Sequence, residues 1–485
     1  MDVRRAVRVE DQAVPARGRG PRRAEHRDRA RRAPEIGVVS ADRSPTRPDP
    51  RPVLASAELA RAFTIASFAA VFGASAIRGL AGDVTYATVL TGLCALGVAM
   101  LIVRRREIEV LHLAPTTLVV FVVWAGASVL WSTDAARTAV GWAALVGVSF
   151  LGVVIGHVRD AHQSVRALGD VLRWLLAASL ALEVLSGILW DTPIPFLGIR
   201  GDITELGPVQ GLFGSRNDLG VVTVIALLTF LVEWRTRSVR PATAAASVAL
   251  SVGLALLSGS PTVVLVAVVT AVAAAALAAV RTLAPRRRRA AQLTLGVAVL
   301  AALALAWAQR AAIAAALDGR DDLSLRTDLW GEILRFSDDS PVHGFGWFGP
   351  WPPDTAPFSV LNFGLDQQHA SALNAYLDVL LQLGWAGLLV FLVLCALALA
   401  RAWLVAGERR AVVHTWAPLT LVALLTVSLF ESSVLSGAGL LLLVLCAVRA
   451  GQSRSWRERL GNRAAPAPGV ATGGADAQGR PDGAG

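Results

Sequence analysis

Residues 386–400 read AGLLVFLVLCALALA, fifteen consecutive residues without a charge. This run is part of a longer apolar segment, 374–400. A bilayer core about 30 Å thick is crossed by roughly 20 apolar residues in a helix, so the segment is long enough to span a membrane. Similar segments recur from Leu59 to Val448, and 54% of all residues are hydrophobic. The sequence therefore predicts an all-α fold, a polytopic transmembrane helix bundle.

We predict about twelve transmembrane helices, which together occupy residues 58–450. Each segment has close to the length that a span requires. The twelve segments are 59–78, 84–103, 113–131, 138–157, 170–190, 218–234, 241–257, 262–282, 290–308, 374–400, 415–431 and 434–448.

Arginine decides the predicted orientation, because all 46 basic residues of the sequence are arginine. Alternate short loops between the spans carry arginine clusters such as Arg104–Arg106 and Arg286–Arg289. The positive-inside rule places these loops and both chain termini in the cytoplasm. Two longer segments, 191–217 and 309–373, then lie on the outer face of a cell (inner or plasma) membrane.

Two terminal segments lie outside the predicted bundle. Residues 1–57 contain fourteen arginines with many prolines and alanines, and too few apolar residues to fold. We expect them to form a disordered, Arg-rich cytoplasmic tail that lies beside the lipid headgroups. The tail has no Phe, Trp or Tyr to stack on bases, so no nucleic-acid partner is expected. Residues 451–485 are predicted to form a second disordered cytoplasmic tail.

The sequence has no spacing typical of a metal site or a disulfide framework. Cys94, Cys395 and Cys446 lie within predicted spans, where a thiol is an ordinary packing residue. The seven histidines include no His-x-x-x-His pair. We therefore expect no metal and no other cofactor.

The long segment 309–373 is too rich in aromatic residues to be disordered, and loops of this length are usually functional. We expect it to fold back over the helix ends and to contain short helices. Within it, Leu323–Phe336 has helical spacing, which places Arg326 and Trp330 one turn apart on the same face. A guanidinium in a partly enclosed, wet site suits a phosphate or carboxylate. The alternative is a salt bridge within the loop, which carries several aspartates.

The other long segment ends in Arg216 and Asn217, directly before a predicted span. We expect that span to begin near Asp218, which is a good N-cap residue. Arg216 then lies beside a helix N-terminus, where the amides and the helix dipole favour an anion. Arg216 and Arg326 together can clamp one anionic group.

Four parts of the sequence resemble the bacterial O-antigen ligase and O-antigen polymerase superfamily of membrane glycosyltransferases. They are, in chain order, GLFGSRN (211–217); LSGS (257–260); LRTDLW (325–330) with SPVHGFG (340–346); and NAYLD (374–378) with LGWAG (383–387). Each motif is short, but their order and their placement around one long loop are specific in combination. The similarity covers about residues 200–400, which form the predicted O-antigen ligase-like core.

The resemblance implies transfer of a glycan, which we expect to be inverting, from a polyprenyl-diphosphate-linked donor to an acceptor hydroxyl on the outer face. Arg216 and Arg326 are then the candidate ligands of the diphosphate. These two arginines, and the lack of a carboxylate cluster in the first outer loop, favour a metal-independent reaction. Asn217, Trp330, Asn374 and Tyr376 are supporting residues by their place in the motifs. We further expect sugars to lie under the aromatic loop, because aromatic faces stack on sugar rings.

The sequence departs from the family at the expected histidine and in the second motif. The family's histidine, which precedes the Asn of the fourth motif, is Leu373 here. We take His369, four residues earlier, as the candidate general base, since the two positions share a face if the helix has begun by then. His343 is the next candidate. Pro261 replaces the arginine that often follows the second motif.

Several alternatives remain open at this stage. The acceptor is a growing glycan, a lipid or a cell-wall hydroxyl, so polymerase and ligase are both possible. A flippase or exporter of lipid-linked glycan is the alternative from another class. It requires a polar path through the membrane, and Glu183 is the one ionisable residue well inside a predicted span. A structural hydrogen bond to a neighbouring helix explains Glu183 equally well.

Overall fold

A computed structural model describes residues 54–105, 113–309, 321–365 and 367–452. Within these ranges the fold is all-helical and has no strand. The helices are α1 (Ala57–Phe72), α2 (Ala74–Val103), α3 (Thr116–Ala127), α4 (Ala135–Val158), α5 (Ala161–Val184), α6 (Arg216–Arg235), α7 (Pro241–Leu257), α8 (Pro261–Thr282), α9 (Pro285–Ala308), α10 (Asp321–Ser337), α11 (Phe358–Gly364), α12 (Ala375–Glu408), α13 (Trp416–Val427) and α14 (Gly437–Gln452).

The predicted transmembrane segments coincide with helices α1–α9 and α12–α14. Six of these are long and apolar enough to cross a membrane, namely α2, α4, α5, α6, α8 and α12. Four others, α3, α7, α13 and α14, are apolar but shorter. An all-α membrane bundle is therefore confirmed, while the total of twelve spans stays a prediction.

Parts of three predicted segments lie outside the described residues. They are 1–53 of the first tail, 453–485 of the second tail, and positions 310–320 and 366 of the long loop.

The first two helices divide differently from the prediction. The sequence placed a loop at 79–83, whereas α1 ends at Phe72, Gly73 separates it from α2, and α2 begins at Ala74. Gly82 interrupts α2 with φ 82° and ψ 168°, a conformation that glycine adopts without a Cβ penalty. The expected break is thus a kink inside one helix.

Side chains before the first turn explain where several helices begin. Asp160 caps α5 in a capping box, accepting from the Gln163 amide at 2.7 Å while the Gln163 side chain accepts from the Asp160 amide at 3.2 Å. Proline occupies the first position of α7 and α8, where its missing N–H costs nothing.

Helix α14 lies in the middle of the bundle. Its residues from Leu440 to Val448 are all buried, and it packs against α4, α12 and α13. A helix that is apolar on every side lies either in a protein core or against lipid, and the burial of α14 shows that neighbouring helices surround it. This arrangement brings the turn between α13 and α14, residues 428–436, into contact with the motif-bearing helices.

The polar residues of the bundle include a buried pair that the sequence analysis did not single out. Glu233 of α6 is 1% exposed and pairs with Arg173 of α5, which also binds Asp170 at 2.7 Å. Buried carboxylates need such partners because removing a charge from water is costly. Glu183 was therefore not the only buried acidic residue of the helices.

The described part of the long loop forms a small core of its own. Its buried members come from α10, α11, the aromatic stretch between them and the start of α12: Leu329, Ile333, Phe348, Trp351, Phe358, Leu361, Ala372 and Leu381. The helix predicted over Leu323–Phe336 is confirmed as α10. The loop thus packs onto α12 and positions Arg326 and Trp330.

Candidate functional site

The motif segments meet where α6, α8 and α12 begin, and we call this region the motif end. Ser260, before α8, donates to the Asn217 side chain of α6 at 2.7 Å. The amide of Ala375, the first residue of α12, donates to the Ser428 carbonyl at 2.8 Å. Segments far apart in the sequence therefore share one polar site.

Arg326 of α10 joins three elements at the motif end. Its guanidinium Nη1 donates to the Phe430 carbonyl and, at 3.4 Å, to the Leu373 carbonyl. Its Nη2 lies 3.4 Å from Glu431 Oε1, and both side chains are largely buried. The salt bridge weighed in the sequence analysis exists, but its partner lies beyond the loop.

Glu431 is the main residue of this site that sequence reasoning missed. It lies in the turn that follows α13 and precedes α14. Asn217 Nδ2 donates a hydrogen bond to its Oε1 at 2.7 Å. Burial raises the pKa of Glu431, and Arg326 opposes that rise. The sequence signal was a carboxylate at the end of the predicted span 415–431, just before the next predicted span, 434–448.

The start of α6 differs from the prediction. The N-cap is Ser215, whose Oγ accepts from the Asp218 amide at 3.0 Å, so the prediction of Asp218 as the cap is wrong. The serine hydroxyl reaches the third amide of the helix, which allows the helix to begin at Arg216. Arg216 does lie at a helix N-terminus, as expected.

Arg326 lines neither of the two polar cavities formed by the described residues. Arg216 lines the smaller one, of about 280 Å³, together with Glu183, Arg200, Asp202 and Gln210. Arg200 is a second missed residue, although its chain segment was recognised. The link between the two predicted arginines runs through Asn217, the neighbour of Arg216, to Glu431 and then to Arg326.

Glu183 has structural hydrogen bonds, but its partners are backbone amides of the first motif and its neighbour Gln210, where a neighbouring helix had been expected. It is 2% exposed, and its Oε1 accepts from the amides of Gln210 at 3.1 Å and Gly211 at 2.9 Å. Gly211 has φ 56°, and a Cβ there would lie 2.5 Å from the Ser179 Cβ. The first motif is thus held against α5 by a buried carboxylate and a close backbone approach.

The supporting residues of the fourth motif fasten α12 to α13. Asn374 caps α12 by accepting from the Tyr376 amide at 3.0 Å, and it donates to the Leu429 carbonyl at 3.1 Å. Tyr376 donates its hydroxyl to the Leu425 carbonyl at 3.0 Å. These bonds fix the position of the turn that carries Glu431.

Trp330 lies one helical turn after Arg326 and binds the same neighbouring segment. Its indole donates to the Ala372 carbonyl at 3.0 Å, next to the Leu373 carbonyl that Arg326 contacts. The predicted shared face of the two side chains is therefore observed. Together they attach α10 to the chain just before α12.

His369 does not share a helical face with Leu373, because α12 begins only at Ala375. The expected displacement of the histidine by one helical turn is therefore not observed. The backbone of His369 bonds the Asn362 side chain in both directions, at 2.9 and 3.2 Å. Partial burial lowers the pKa of His369, which favours the neutral imidazole. The next two residues, Ala370 and Ser371, line the larger cavity described below.

The other candidate, His343, lies in the SPVHGFG turn and is exposed. Its ring lies 5.4 Å from that of Trp131, and its Nδ1 is 3.0 Å from the Ser340 hydroxyl. Its contacts therefore lie on the α3–α4 side of the turn.

The glycine motifs of the third and fourth segments fit together through their backbones. Gly384 breaks α12 with φ 68° and ψ −171°, which frees amides and carbonyls on both sides of the break. Gly346 N–H donates to the Gln382 carbonyl at 2.8 Å, and Trp385 N–H donates to the Pro341 carbonyl at 2.8 Å. The turn of the long loop thus supplies the hydrogen bonds that the kinked helix lacks.

Asp378 and Gln382 of α12 hold the aromatic stretch of the loop. Asp378 accepts from the Trp351 indole at 2.8 Å and from Gln382 Nε2 at 2.7 Å, and Gln382 Oε1 accepts from the Phe348 amide at 2.7 Å. The aromatic residues Trp347, Phe348, Trp351 and Phe358 are 4% exposed or less. Their faces contact protein, so these four aromatic residues are packing residues and are not open for sugar stacking.

A larger cavity, of about 340 Å³, opens beside Glu431. Its polar lining includes three carboxylates, one arginine and several serines, and α1, α6 and α13 supply an apolar wall. The polar lining residues are Ser75, Arg78, Asp218, Ser371, Asp378, Glu431, Ser432, Ser433 and Ser436. Among the described residues, no group of three or more His, Cys, Asp or Glu side chains has an arrangement that holds a metal ion.

The fold and site define a multi-pass helical membrane protein with a charged, partly enclosed site at one end of its bundle. Residues 245–392 match the family model described as O-antigen ligase, which confirms the resemblance to the O-antigen ligase superfamily. The match supports an O-antigen ligase-like membrane glycosyltransferase of polysaccharide biosynthesis. It includes Arg326 and His369, whereas Arg216 and Glu431 lie outside the matched range. No curated protein matches the chain.

Proposed function

We propose that this protein transfers a glycan from a polyprenyl-diphosphate-linked donor to an acceptor hydroxyl on the outer face of a cell membrane. The observation that carries the proposal is the convergence of separate family motifs at the motif end: Ser260 bonds Asn217, and Asn217 and Arg326 both contact Glu431, which lines a cavity. Active sites are commonly cavities in which a few polar groups converge. The family match supports glycan transfer as the chemistry of this site.

Arginines of the motif end and of the smaller cavity are the proposed ligands of the diphosphate. Arg326 is linked to the start of α6 through Glu431 and Asn217, and Arg216 lines the smaller cavity with Arg200. Guanidinium groups bind phosphate oxygens through paired, charge-assisted hydrogen bonds. They also neutralise the charge that develops on the departing diphosphate, so we propose that the reaction needs no metal ion.

We propose a single displacement with inversion at the anomeric carbon, as the family resemblance implies. Such a step needs a base that accepts the proton of the acceptor hydroxyl. His369 is the base proposed from the sequence. Two observations support it: its lowered pKa favours the proton-accepting form, and the residues that follow it line the larger cavity.

The outer-face location is proposed from the distribution of arginine among the loops. α6, α8 and α12 all begin at the motif end. The loops at their opposite ends contain the arginine clusters, for example Arg235 with Arg237 and Arg409 with Arg410. The positive-inside rule then places the motif end outside.

Deleting the gene and comparing glycan length with glycan attachment tests the function. A polymerase predicts short glycans that are still attached, and a ligase predicts full-length glycans that remain on the lipid carrier. Unchanged glycans would contradict both.

Metal independence is tested with the purified protein added to membranes of the deletion strain. Transfer should be restored in the presence of excess EDTA. A loss of activity that a divalent ion reverses would contradict the metal-independent mechanism.

A further inference from the structure

Glu431 presents one carboxylate oxygen to the protein and leaves the other for a ligand. The hydrogen bonds from Asn217, at 2.7 Å, and from Arg326, at 3.4 Å, both end on Oε1. Within the described ranges no hydrogen bond or ion pair ends on Oε2, and Glu431 lines the larger cavity. The carboxylate is therefore held through Oε1, while Oε2 has no described partner in a residue that lines the cavity.

The larger cavity has the chemistry of a site for hydroxyl groups. Asp218 and Asp378 line it beside Glu431, and three carboxylates against the single Arg78 disfavour a diphosphate. Carboxylates do accept hydrogen bonds from hydroxyl groups. Ser433 also lines the cavity, and its buried hydroxyl has no hydrogen-bond partner among the described residues. A volume of about 340 Å³ lies within the range of small-molecule sites.

We propose that the larger cavity binds the sugar of the acceptor and that Glu431 Oε2 takes the proton of its attacking hydroxyl. This inference rests on the proposed glycan transfer and names the place and chemical class of the second substrate. The part of the acceptor that occupies the cavity is a sugar without phosphate groups. The diphosphate of the donor binds at Arg326 and Arg216, as proposed above, and Arg326 lies against Glu431 Oε1.

The two substrates and Glu431 account for every bond, electron pair and proton in the step. The acceptor oxygen forms a bond to the anomeric carbon as the bond between that carbon and the diphosphate oxygen breaks. The electron pair of the broken bond leaves with the diphosphate, whose charge Arg326 stabilises. The hydroxyl proton moves to Glu431 and is released to solvent after the product departs.

Geometry favours Glu431 over His369 for this step. Glu431 lines the cavity itself, whereas His369 does not, and its neighbours Ala370 and Ser371 do. Arg326 also places Glu431 near Leu373, because one guanidinium contacts both the Leu373 carbonyl and Glu431 Oε1. Leu373 is the position at which the family resemblance led us to expect a histidine. The raised pKa of Glu431 makes it a stronger base than an ordinary glutamate.

Azide distinguishes a variant that has lost its general base from one in which an arginine is displaced. Azide is an anionic nucleophile with no proton to give up, so it can react without a base. The assay uses membranes of the deletion strain, which supply lipid-linked donor and acceptor, with each purified variant added with and without azide. The variants are Glu431→Gln, His369→Ala and Arg326→Ala. Glu332→Gln is the matched control, since its carboxylate pairs with Arg335 on the surface of α10.

Glu431→Gln should slow transfer to the acceptor by about 10²–10⁴-fold and still form a glycosyl azide, detected by mass spectrometry. Arg326→Ala should lose both reactions, and the control Glu332→Gln should keep transfer to the acceptor. Normal acceptor transfer by Glu431→Gln, or loss of both its reactions, would overturn the proposal. If His369→Ala forms the glycosyl azide but no longer transfers the glycan to the acceptor, His369 is the base and the proposal fails. A wild-type protein that consumes no lipid-linked glycan would instead refute the proposed function.

Discussion

Arg326, on α10 of the long loop, contacts both the chain just before α12 and the turn between α13 and α14. It contacts the Leu373 and Phe430 carbonyls and Glu431, and its side chain is 11% exposed. A planar guanidinium can satisfy these acceptors together because its donors point in fixed, separate directions. An ammonium group is a single point charge and cannot reproduce that pattern.

We expect Arg326→Lys to lower the transfer rate by on the order of a hundredfold or more, the cost of about 2–4 kcal/mol for one lost transition-state contact. Transfer from lipid-linked donor in reconstituted membranes measures the effect. Arg335→Lys on the same helix is the control, since Arg335 is exposed and pairs only with Glu332 among the described residues. Equal rates for Arg326→Lys and wild type would show that paired hydrogen bonds from this residue are not needed.

The raised pKa of Glu431 predicts how the transfer rate changes with pH. Desolvation raises its pKa, Arg326 lowers it, and Asp218 adds to the rise. Arg78 and Asp378 face the same cavity from α2 and α12. A base must be deprotonated to act, so we expect transfer to fall as the pH drops through a pKa above that of ordinary glutamate.

A pH–rate profile of the wild type and of Glu431→Gln checks this prediction. The acid limb assigned to Glu431 should disappear in the variant, because its amide does not titrate. If the variant keeps the limb, another group controls it and Glu431 is not the base. His369→Ala, measured in parallel, shows whether the imidazole produces the limb instead.

Among the helices, α12 combines a membrane-spanning segment with a binding surface for the loop. The break at Gly384 exposes backbone groups, and the 341–346 turn pairs with them. A Cβ on Gly384 would lie 2.3 Å from the Val342 carbonyl carbon and oxygen. The glycines of two family motifs therefore have a structural explanation in the contact between these backbones.

We expect Gly384→Ala to destabilise the protein by about 1–3 kcal/mol from backbone conformation alone, with the steric conflict adding to that cost. Thermal unfolding in detergent should show a lower midpoint. Gly253→Ala is the matched control: it lies inside α7, and a Cβ there meets nothing within 4 Å. Equal midpoints for the two variants would contradict the role given to the kink.

The whole molecule has a predicted orientation that labelling can test. Val360 on α11 is 52% exposed, and Ala411 lies exposed after α12 on the predicted cytoplasmic side. A membrane-impermeant thiol reagent applied to intact cells should modify Val360→Cys and spare Ala411→Cys. Disrupted cells are the control, since both positions should then react. The reverse pattern in intact cells would overturn the orientation and place the site inside.

The native cysteines suit this experiment. Cys395 and Cys446 are buried, and Cys94 is half-buried within α2. Their reaction in the unchanged protein gives the background for both variants.

The sequence by itself determined the elements of this protein. Helix hydrogen bonds are local and a bilayer-length apolar run is visible in the chain, so the segments that became α6, α8 and α12 could be located before any contact was known. The motifs likewise identified the superfamily and pointed to Arg326 and Asn217. Errors at this level were small, such as the start of α6 at Arg216 instead of near Asp218.

Only the tertiary structure decided which side chains meet. Glu431 bonds Asn217, 214 positions earlier in the chain, and Arg326, 105 positions earlier. The same folding placed Arg216 in a separate cavity and buried aromatic residues such as Trp351 in the loop core. A carboxylate near the end of an apolar segment has no assigned partner in the sequence, because its partners are set by how the helices pack.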